Sequence, residues 1–375
     1  MLRYCRFVCN ASTLFLYAGW VGDDDATFNG LRGCLRKVIY SSWAGFANFG
    51  CDIGGYRGSD STKDRRLFLR WAQLGAFLPL MENGGAGEHR PWEYDAEVTR
   101  EYRRLAVEHH RLSAYLHSSG ADAMQAGISL VRAVDTETIL PSDISRSALF
   151  PQPRTYSYRL GPDLLVHPAV YDMVNRTDVA RVRMEFPTDA ASSVWLDYWQ
   201  PNDMHLAHKA GDVRERLVPL QTYPVYVREG AILPLHTELS VTPPADEAVP
   251  SVDLNAIAFT WYHPFATAAS EAAPAAFDMR ESVTTGTGLA ARGYLSADRA
   301  TLYGTVSAHA QYSAGFEFIG IAEADPAVGL NVTLDAWPAS TCEYHFDSHR
   351  RSLKVLCRSV EGGLKVTIVG AISGV

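Results

Sequence analysis

Apolar residues in this chain follow two rhythms, with the change at about residue 122. Before it, short apolar runs alternate with longer stretches whose apolar positions recur every three or four residues. Phe15 to Trp20, residues 45–50 and residues 76–81 read as strands. Between them Leu31, Cys34, Leu35 and Val38 mark one face of a helix over 26–40, and a second helix is predicted over 63–74. A third is predicted over 95–117, capped by Asp95, with Val98, Tyr102, Leu105, His109, Leu112 and Leu116 as its buried stripe. Strand and helix in alternation predict parallel strands joined by crossover helices. After residue 122 the helical spacing stops. Leu164 to Pro168, Ala180 to Phe186, Ser193 to Trp199 and Val225 to Arg228 are short β-rich runs separated by turn residues, the pattern of a sandwich. Val241 to Ala276, rich in Ala and Pro, reads as a linker or loose loop. From Tyr294 to the end the strand-like runs return, among them Tyr303 to Val306, Phe316 to Ile321 and Leu353 to Leu356. The expected class is α/β followed by all-β, divided as 1–122, 123–236 and 237–375. Residues 1–12 fit no element, and the chain shows no internal repeat.

Two loops in the first part carry the candidate chemistry. Asp23, Asp24 and Asp25 follow the first strand, and Asp52 follows the second, just before Gly54 and Gly55. On pattern alone a run of aspartates before a helix is ordinary capping, with Asp25 or Thr27 as the cap, and Asp before Gly is ordinary turn chemistry. The catalytic alternative is that both carboxylates emerge at equivalent ends of successive parallel strands, where βα folds build their sites. Spacing leaves the two open.

Composition narrows the partners. With 47 % apolar and 20 % charged residues, the 375-residue chain is of ordinary globular type. A net charge of −8 and the lack of a basic stripe argue against nucleic acid and against anionic membranes. No apolar stretch reaches the length of a membrane span, and Met1 to Ser12 lacks the apolar core of a signal peptide. Six cysteines are too few for a disulfide scaffold. Cys5, Cys9, Cys34 and Cys51 have no metal-site spacing, while Cys342 and Cys357 flank a hairpin and either pair or remain thiols. Asn10, Asn175 and Asn331 open glycosylation sequons, which matter only in a secreted chain. Compartment and oligomeric state stay open. His109 and His110 lack zinc spacing, as do His205 and His208, and no phosphate loop or Ser/His/Asp elbow occurs.

Longer matches change the picture of the aspartates. Trp20-Val-Gly-Asp23, followed by Ala26-Thr-Phe28 and Leu31, resembles the acid/base segment of glycoside hydrolase family 31, the α-glucosidase and α-xylosidase family. Gly50-Cys-Asp-Ile-Gly-Gly-Tyr56 and Arg70-Trp-Ala-Gln-Leu-Gly-Ala-Phe-Leu-Pro79 resemble the next two signatures, in the family's order and at its spacing. Gly161 to Val166 and Pro224 to Pro234 resemble its proximal β-sandwich. The resemblance implies that residues 1–122 are the last three units of a (β/α)8 TIM barrel, followed by two β-sandwiches. Three units cannot close a barrel of eight. The family's nucleophile, an aspartate on an earlier strand, would then lie upstream, so that the chain is expected to be a fragment or a remnant.

The chemistry implied is retaining hydrolysis of an α-linked glycoside or oligosaccharide, without a cofactor or a metal. Such enzymes need two carboxyl groups about 5–5.5 Å apart, one a nucleophile and one an acid that later acts as base. Asp23 matches the acid/base position, with Trp20 beside it as an apolar wall. Asp52 is expected to bond sugar hydroxyls or to hold neighbouring loops, and Tyr56 to stack on a sugar face near the leaving-group subsite. The third loop departs from the family pattern. No His stands at its usual position in Glu82-Asn-Gly-Gly-Ala-Gly-Glu-His89-Arg-Pro-Trp92, and His89 is the substitute expected to reach the same hydroxyls, with Glu82 second. Phe7 stands where the family has an arginine, which puts the sugar in doubt. Trp20, Tyr56 and His89 each have an ordinary structural alternative as well. The rival reading is a non-catalytic carbohydrate-binding or scaffold remnant.

Overall fold

The computed structural model describes residues 19–43, 46, 49–58, 64–134, 156–171, 178–188, 194–237, 253–263, 269–280, 287–296, 301–308, 312–320, 331–336, 341–347, 351–360 and 364–369. Residues 1–12, Phe15 to Ala18, and the sequons at Asn10 and Asn175 lie outside them. The first part of the chain runs β1 (Gly19–Trp20), α1 (Phe28–Trp43), β2 (Phe49–Asp52), α2 (Arg65–Ala76), β3 (Leu80–Glu82), α3 (Ala96–Arg111) and α4 (Ser113–Ala126). Then follow β4 (Val131–Ala133), β5 (Tyr158–Leu160), β6 (Leu164–Val166), β7 (Val179–Glu185), β8 (Val194–Asp197), β9 (His208–Lys209), β10 (Val213–Pro219), β11 (Val225–Arg228) and β12 (Ile232–Thr237). The remainder is β13 (Asp253–Tyr262), β14 (Ala275–Arg280), β15 (Thr287–Leu295), β16 (Thr301–Ala308), β17 (Tyr312–Ile319), β18 (Asn331–Ala336), β19 (Thr341–Asp347), β20 (Ser352–Val360) and β21 (Leu364–Val369). These elements form two compact units that interleave in sequence. One comprises Met1–His109, Asp122–Asp189 and Ala210–Tyr226; the other His110–Ala121, Ala190–Lys209 and Val227–Val375.

The first unit opens with a three-stranded parallel sheet in the order β1-β2-β3, with α1 and α2 as crossovers. Thr27 caps α1, its hydroxyl accepting from Gly30 N at 3.0 Å, and Asp64 caps α2 through Arg66 N at 2.8 Å. Leu31, Cys34, Leu35 and Val38 are all buried, as their spacing predicts. Every residue of α2 from Leu67 to Ala76 is buried, Arg70 and Gln73 included. Arg70 survives there because its guanidinium donates to the carbonyls of Val218, Pro219 and Thr222 and to Gln73 Oε1, at 2.8–3.0 Å. Burial pushes its pKa down to about 10, and the carbonyl dipoles take the place of water. Cys34 on α1 and Cys51 on β2 form a buried disulfide with Cα atoms 6.3 Å apart, and the Trp71 indole donates to Cys51 Sγ at 3.3 Å. Sequence spacing gave no reason to pair these two thiols. The rest of this unit holds the antiparallel pair β7–β10 and the strands β4, β5, β6 and β11 in that order.

Three expectations are corrected. The apolar run 76–81 is not one strand: α2 continues to Ala76, Phe77 and Leu78 turn inward, and β3 starts at Leu80. An apolar run that spans a helix end and a strand start has no single period to read. The helix predicted over 95–117 is two helices that break at Leu112. There the Ser113 hydroxyl donates to the His110 carbonyl at 2.8 Å, competing with the helical ladder. The expected Asp95 cap is present, accepting from Val98 N at 2.7 Å. The linker read over 241–276 contains the ten-residue β13. Its Ala and Pro content masks the buried Ile257, Phe259 and Trp261.

The second unit is dominated by two five-stranded sheets, in the orders β12-β13-β17-β20-β19 and β14-β15-β16-β21-β18. All the pairings are antiparallel except β13–β17. Both sheets contribute to one apolar core: Phe259, Trp261, Phe316 and Val355 from the first, Leu289, Ala291, Val306 and Val366 from the second. Cys342 and Cys357, register partners on β19 and β20, are disulfide-bonded with Cα atoms 4.0 Å apart, the paired one of the two states open in the sequence. No helix among the described residues is long and apolar enough to cross a membrane.

Candidate active site

The sheet of the first unit brings the two acidic loops and the Gly-rich loop together at the C-terminal ends of its strands. Val21 N donates to Gly50 O at 3.1 Å, extending the β1–β2 pairing past Trp20, and Gly22 at φ 87° turns the chain into the aspartates. The three aspartates then divide. Asp24 is buried and paired with Lys37 Nζ of α1 at 2.7 Å; burial raises its pKa even against that ammonium. Asp25 is exposed and paired with Arg57 Nε at 2.8 Å. Asp23 is half-buried, between the Gly22 turn and these two tethered neighbours.

Those tethers fasten the first loop to the second. Arg57 N donates to Asp24 O at 2.9 Å and Ala26 N to Arg57 O at 2.7 Å, a parallel bridge centred on Asp25 and Arg57. Gly55 makes the approach possible. It sits at φ 85°, and a Cβ there would lie 2.7 Å from Ala26 Cα. Arg57 and Lys37 were not legible as site residues, because no periodicity links either to the aspartates it holds.

Asp52 closes β2, 5 % exposed, with Glu82 as its register partner on β3. Its Oδ2 has no hydrogen-bond partner among the described residues. Burial, then the negative charges of Glu82 and Asp23, push its carboxyl up to about 6. The structure therefore sets Asp23 and Glu82 within electrostatic reach of Asp52. Among the described residues no His, Cys, Asp and Glu group is arranged to hold a metal ion.

The loop after β3 folds back onto the second loop. Ala86 N donates to Tyr56 O at 2.8 Å, and Gly85, at φ 129°, leaves no room for a Cβ against Tyr56 Cα. His89 lies in this loop, with Nδ1 3.1 Å from Asn83 Oδ1 and Nε2 3.1 Å from the Ala86 carbonyl. Both ring nitrogens thus serve the loop, and a sugar hydroxyl would have to displace one of these acceptors. Trp20 and Tyr56 project into solvent, 53 % and 44 % exposed, so neither is a core residue. Of the predicted residues, Trp20 and Asp52 end β1 and β2, and Asp23, Tyr56 and His89 lie on the loops that leave the three strands at this one end of the sheet.

Residues 6–119 match the glycosyl hydrolases family 31 TIM-barrel domain, and residues 146–233 match the glycosyl hydrolase family 31 C-terminal domain, together just over half of the chain. The chain is 29 % identical over 224 residues to neutral alpha-glucosidase C of Macaca fascicularis, covering 59 % of this chain and 26 % of that protein. It is 27 % identical over 221 residues to an alpha-glucosidase of Aspergillus niger, covering 58 % and 20 %. It is 25 % identical over 227 residues to an alpha-xylosidase of Saccharolobus solfataricus, covering 58 % and 27 %. The chain thus spans about a quarter of the length of the curated relatives it matches. In fold it resembles the cycloalternan-forming enzyme of Listeria monocytogenes, with a TM-score of 0.69 at 18 % identity over 94 % of this chain and 32 % of that one. A dextranase of Flavobacterium johnsoniae gives 0.65 at 16 % identity, over 94 % and 44 %. Two family domains, matched in the right order over more than half of the residues, lead to one conclusion: the chain is a member of glycoside hydrolase family 31.

Proposed function

We propose that this chain is the acid/base-bearing part of a retaining α-glycosidase, built as the last three βα units of a TIM barrel over 1–122, a proximal β-sandwich over 123–236 and a distal one up to 375. The observation that carries this reading is the joint placement of Asp23 and Asp52 at the C-terminal ends of paired parallel strands, on loops locked together by Asp25 and Arg57. Retaining hydrolysis runs in two steps. A nucleophilic aspartate, which the resemblance assigns to a strand outside these residues, displaces the leaving oxygen from the anomeric carbon. Asp23 protonates that oxygen as it departs and, as carboxylate, then takes a proton from the water that opens the glycosyl-enzyme. An acid in this role must keep its proton near neutrality, which like charges nearby favour. Asp52, whose buried Oδ2 has no partner among the described residues, binds sugar hydroxyls; Tyr56 and Trp20 offer ring faces; His89 shapes the third loop and exchanges its Ala86 contact for a hydroxyl. The substrate is an α-linked gluco-oligosaccharide or a related glycoside, and no cofactor takes part.

The test uses the complete enzyme carrying Asp23→Gly. Hydrolysis of maltose falls by about 100-fold or more, whereas with α-glucosyl fluoride, whose leaving group needs no proton, added azide restores turnover with an α-glycosyl azide as product. Unchanged maltose hydrolysis removes Asp23 from the reaction. The isolated 375 residues are expected to show no turnover. Turnover by them that disappears with Asp23→Asn would show that the nucleophile lies within this chain.

A further inference from the structure

Of the large apolar side chains exposed among the described residues, Trp92 is the most exposed, at 66 %. A lone surface aromatic is unremarked in most proteins. Trp92 differs in how firmly its backbone is held and in where that backbone leads. It lies in the single turn Pro91–Glu93, which follows the loop that leaves β3. Pro91 is buried, and its carbonyl accepts from the Thr99 hydroxyl at 3.2 Å. Tyr94 stacks on the buried Phe68 ring with centroids 4.9 Å apart and donates to Glu88 O at 2.9 Å. Arg90 clasps Glu88 through Nε at 2.8 Å and Nη2 at 2.6 Å, and reaches Glu93 at 3.5 Å. With its neighbours on both sides anchored, the indole points to solvent by construction.

The anchored turn is continuous with the candidate site. Asp24 O accepts from Arg57 N, the Tyr56 carbonyl accepts from Ala86 N, and Glu88 closes the loop that presents Trp92. Trp20 at the end of β1, Tyr56 on the loop after β2 and Trp92 beyond the loop after β3, each over 40 % exposed, therefore stand at one end of one sheet. Flat aromatic faces suit the C–H face of a pyranose ring, and the ion-paired Glu88, Arg90 and Glu93 beside Trp92 offer partners for its hydroxyls. We propose that Trp92 is the platform of an additional sugar subsite beyond Tyr56, which binds a distal glucosyl unit of an α-linked oligosaccharide and selects long substrates over disaccharides. This rests on the α-glycoside reading of Asp23 and Asp52.

The experiment is calorimetric titration of the full 375-residue chain with maltose and maltopentaose, and with isomaltose and isomaltopentaose to cover the other linkage. In one of these series the wild-type chain binds the pentasaccharide about tenfold more tightly than the disaccharide, the scale of one aromatic stack. Trp92→Ala brings that ratio to near one and leaves disaccharide affinity unchanged, and Trp92→Phe keeps part of it. The exposed position makes loss of folding no obstacle, and circular dichroism verifies it. Equal length dependence in wild type and Trp92→Ala overturns the subsite while leaving the α-glycoside reading intact. Loss of disaccharide binding in folded Trp92→Ala also overturns it, because the ring then belongs to the primary site. A wild-type chain that binds none of the four sugars overturns the subsite as a property of these residues, while the glycoside reading is decided by the Asp23→Gly test on the complete enzyme.

Discussion

Asp52 and Glu82 are register partners at the ends of β2 and β3, and after burial Glu82 is the largest cause of the proton affinity of Asp52, which titrates near 6. Two like charges opposite each other across a strand pair cannot both ionise without cost. Glu82→Gln is therefore expected to lower the Asp52 titration point toward the ordinary carboxylate range. Carboxyl-carbon NMR across pH 3–8 checks it, and an unmoved titration would leave burial and the remaining aspartates as the explanation.

The same raised pKa has a signature in stability. The native Asp52 holds its proton up to about 6, whereas in the unfolded chain it is lost near the reference value of 3.8. Between those limits the native state binds more protons, so this group's contribution falls as pH rises through the window and is flat above it. Asp52→Asn should flatten the fall and raise the melting temperature at pH 7 more than at pH 4. Parallel melts of wild type and variant at the two pH values decide the matter.

Lys37 keeps Asp24 tolerable in a nearly water-free position. Lys37→Met removes the partner and leaves the carboxylate, at a cost of about 2 kcal/mol for a pair that is mostly but not wholly buried. The loss is largest at neutral pH and shrinks as acid protonates Asp24. Urea denaturation at pH 7 and pH 5 should reveal that difference.

Gly55→Ala asks a side chain to adopt φ 85° and to occupy space 2.7 Å from Ala26 Cα. Strain of about 1–3 kcal/mol is expected, and its relief would separate the Asp24–Ala26 loop from Arg57. Amide exchange at Ala26 and Arg57 should accelerate while α2 stays protected. Uniform loss of protection would mean that the whole unit has been destabilised instead.

The two disulfides close loops of similar length, with sequence separations of 17 for Cys34–Cys51 and 15 for Cys342–Cys357. Each should contribute about 3 kcal/mol through the unfolded chain. Cys51→Ala and Cys357→Ala should each lower the melting temperature, and reductant should have no further effect on the double variant. Peptide mapping without reduction identifies the bridges directly.

What the sequence made legible was local. Thr27 and Asp95 cap the helices they precede, and Leu31, Cys34, Leu35 and Val38 form the buried face their spacing implies. Trp20, Asp23, Asp52 and Tyr56 were expected from motifs and His89 as a substitute where the motif departs, and the five share one end of the sheet. What it hid were partners separated by dozens of residues and set by folding alone: Arg57 for Asp25, Lys37 for Asp24, Cys51 for Cys34. The strand at 253–262 was hidden differently, by an Ala-rich composition that outweighed three large apolar residues.

Arg70 gives the interleaved first unit a timetable. Its carbonyl ligands at Val218 and Pro219 follow it by 148 and 149 residues, so a ribosome at roughly 5–20 residues per second delivers them about 8–30 s after α2 has emerged. Throughout that interval a helix whose outer turns are made to be enclosed carries a cation that has no protein shell to enter. α2 must wait in water or in the care of a chaperone, and the first unit completes itself only when Tyr226 has been translated.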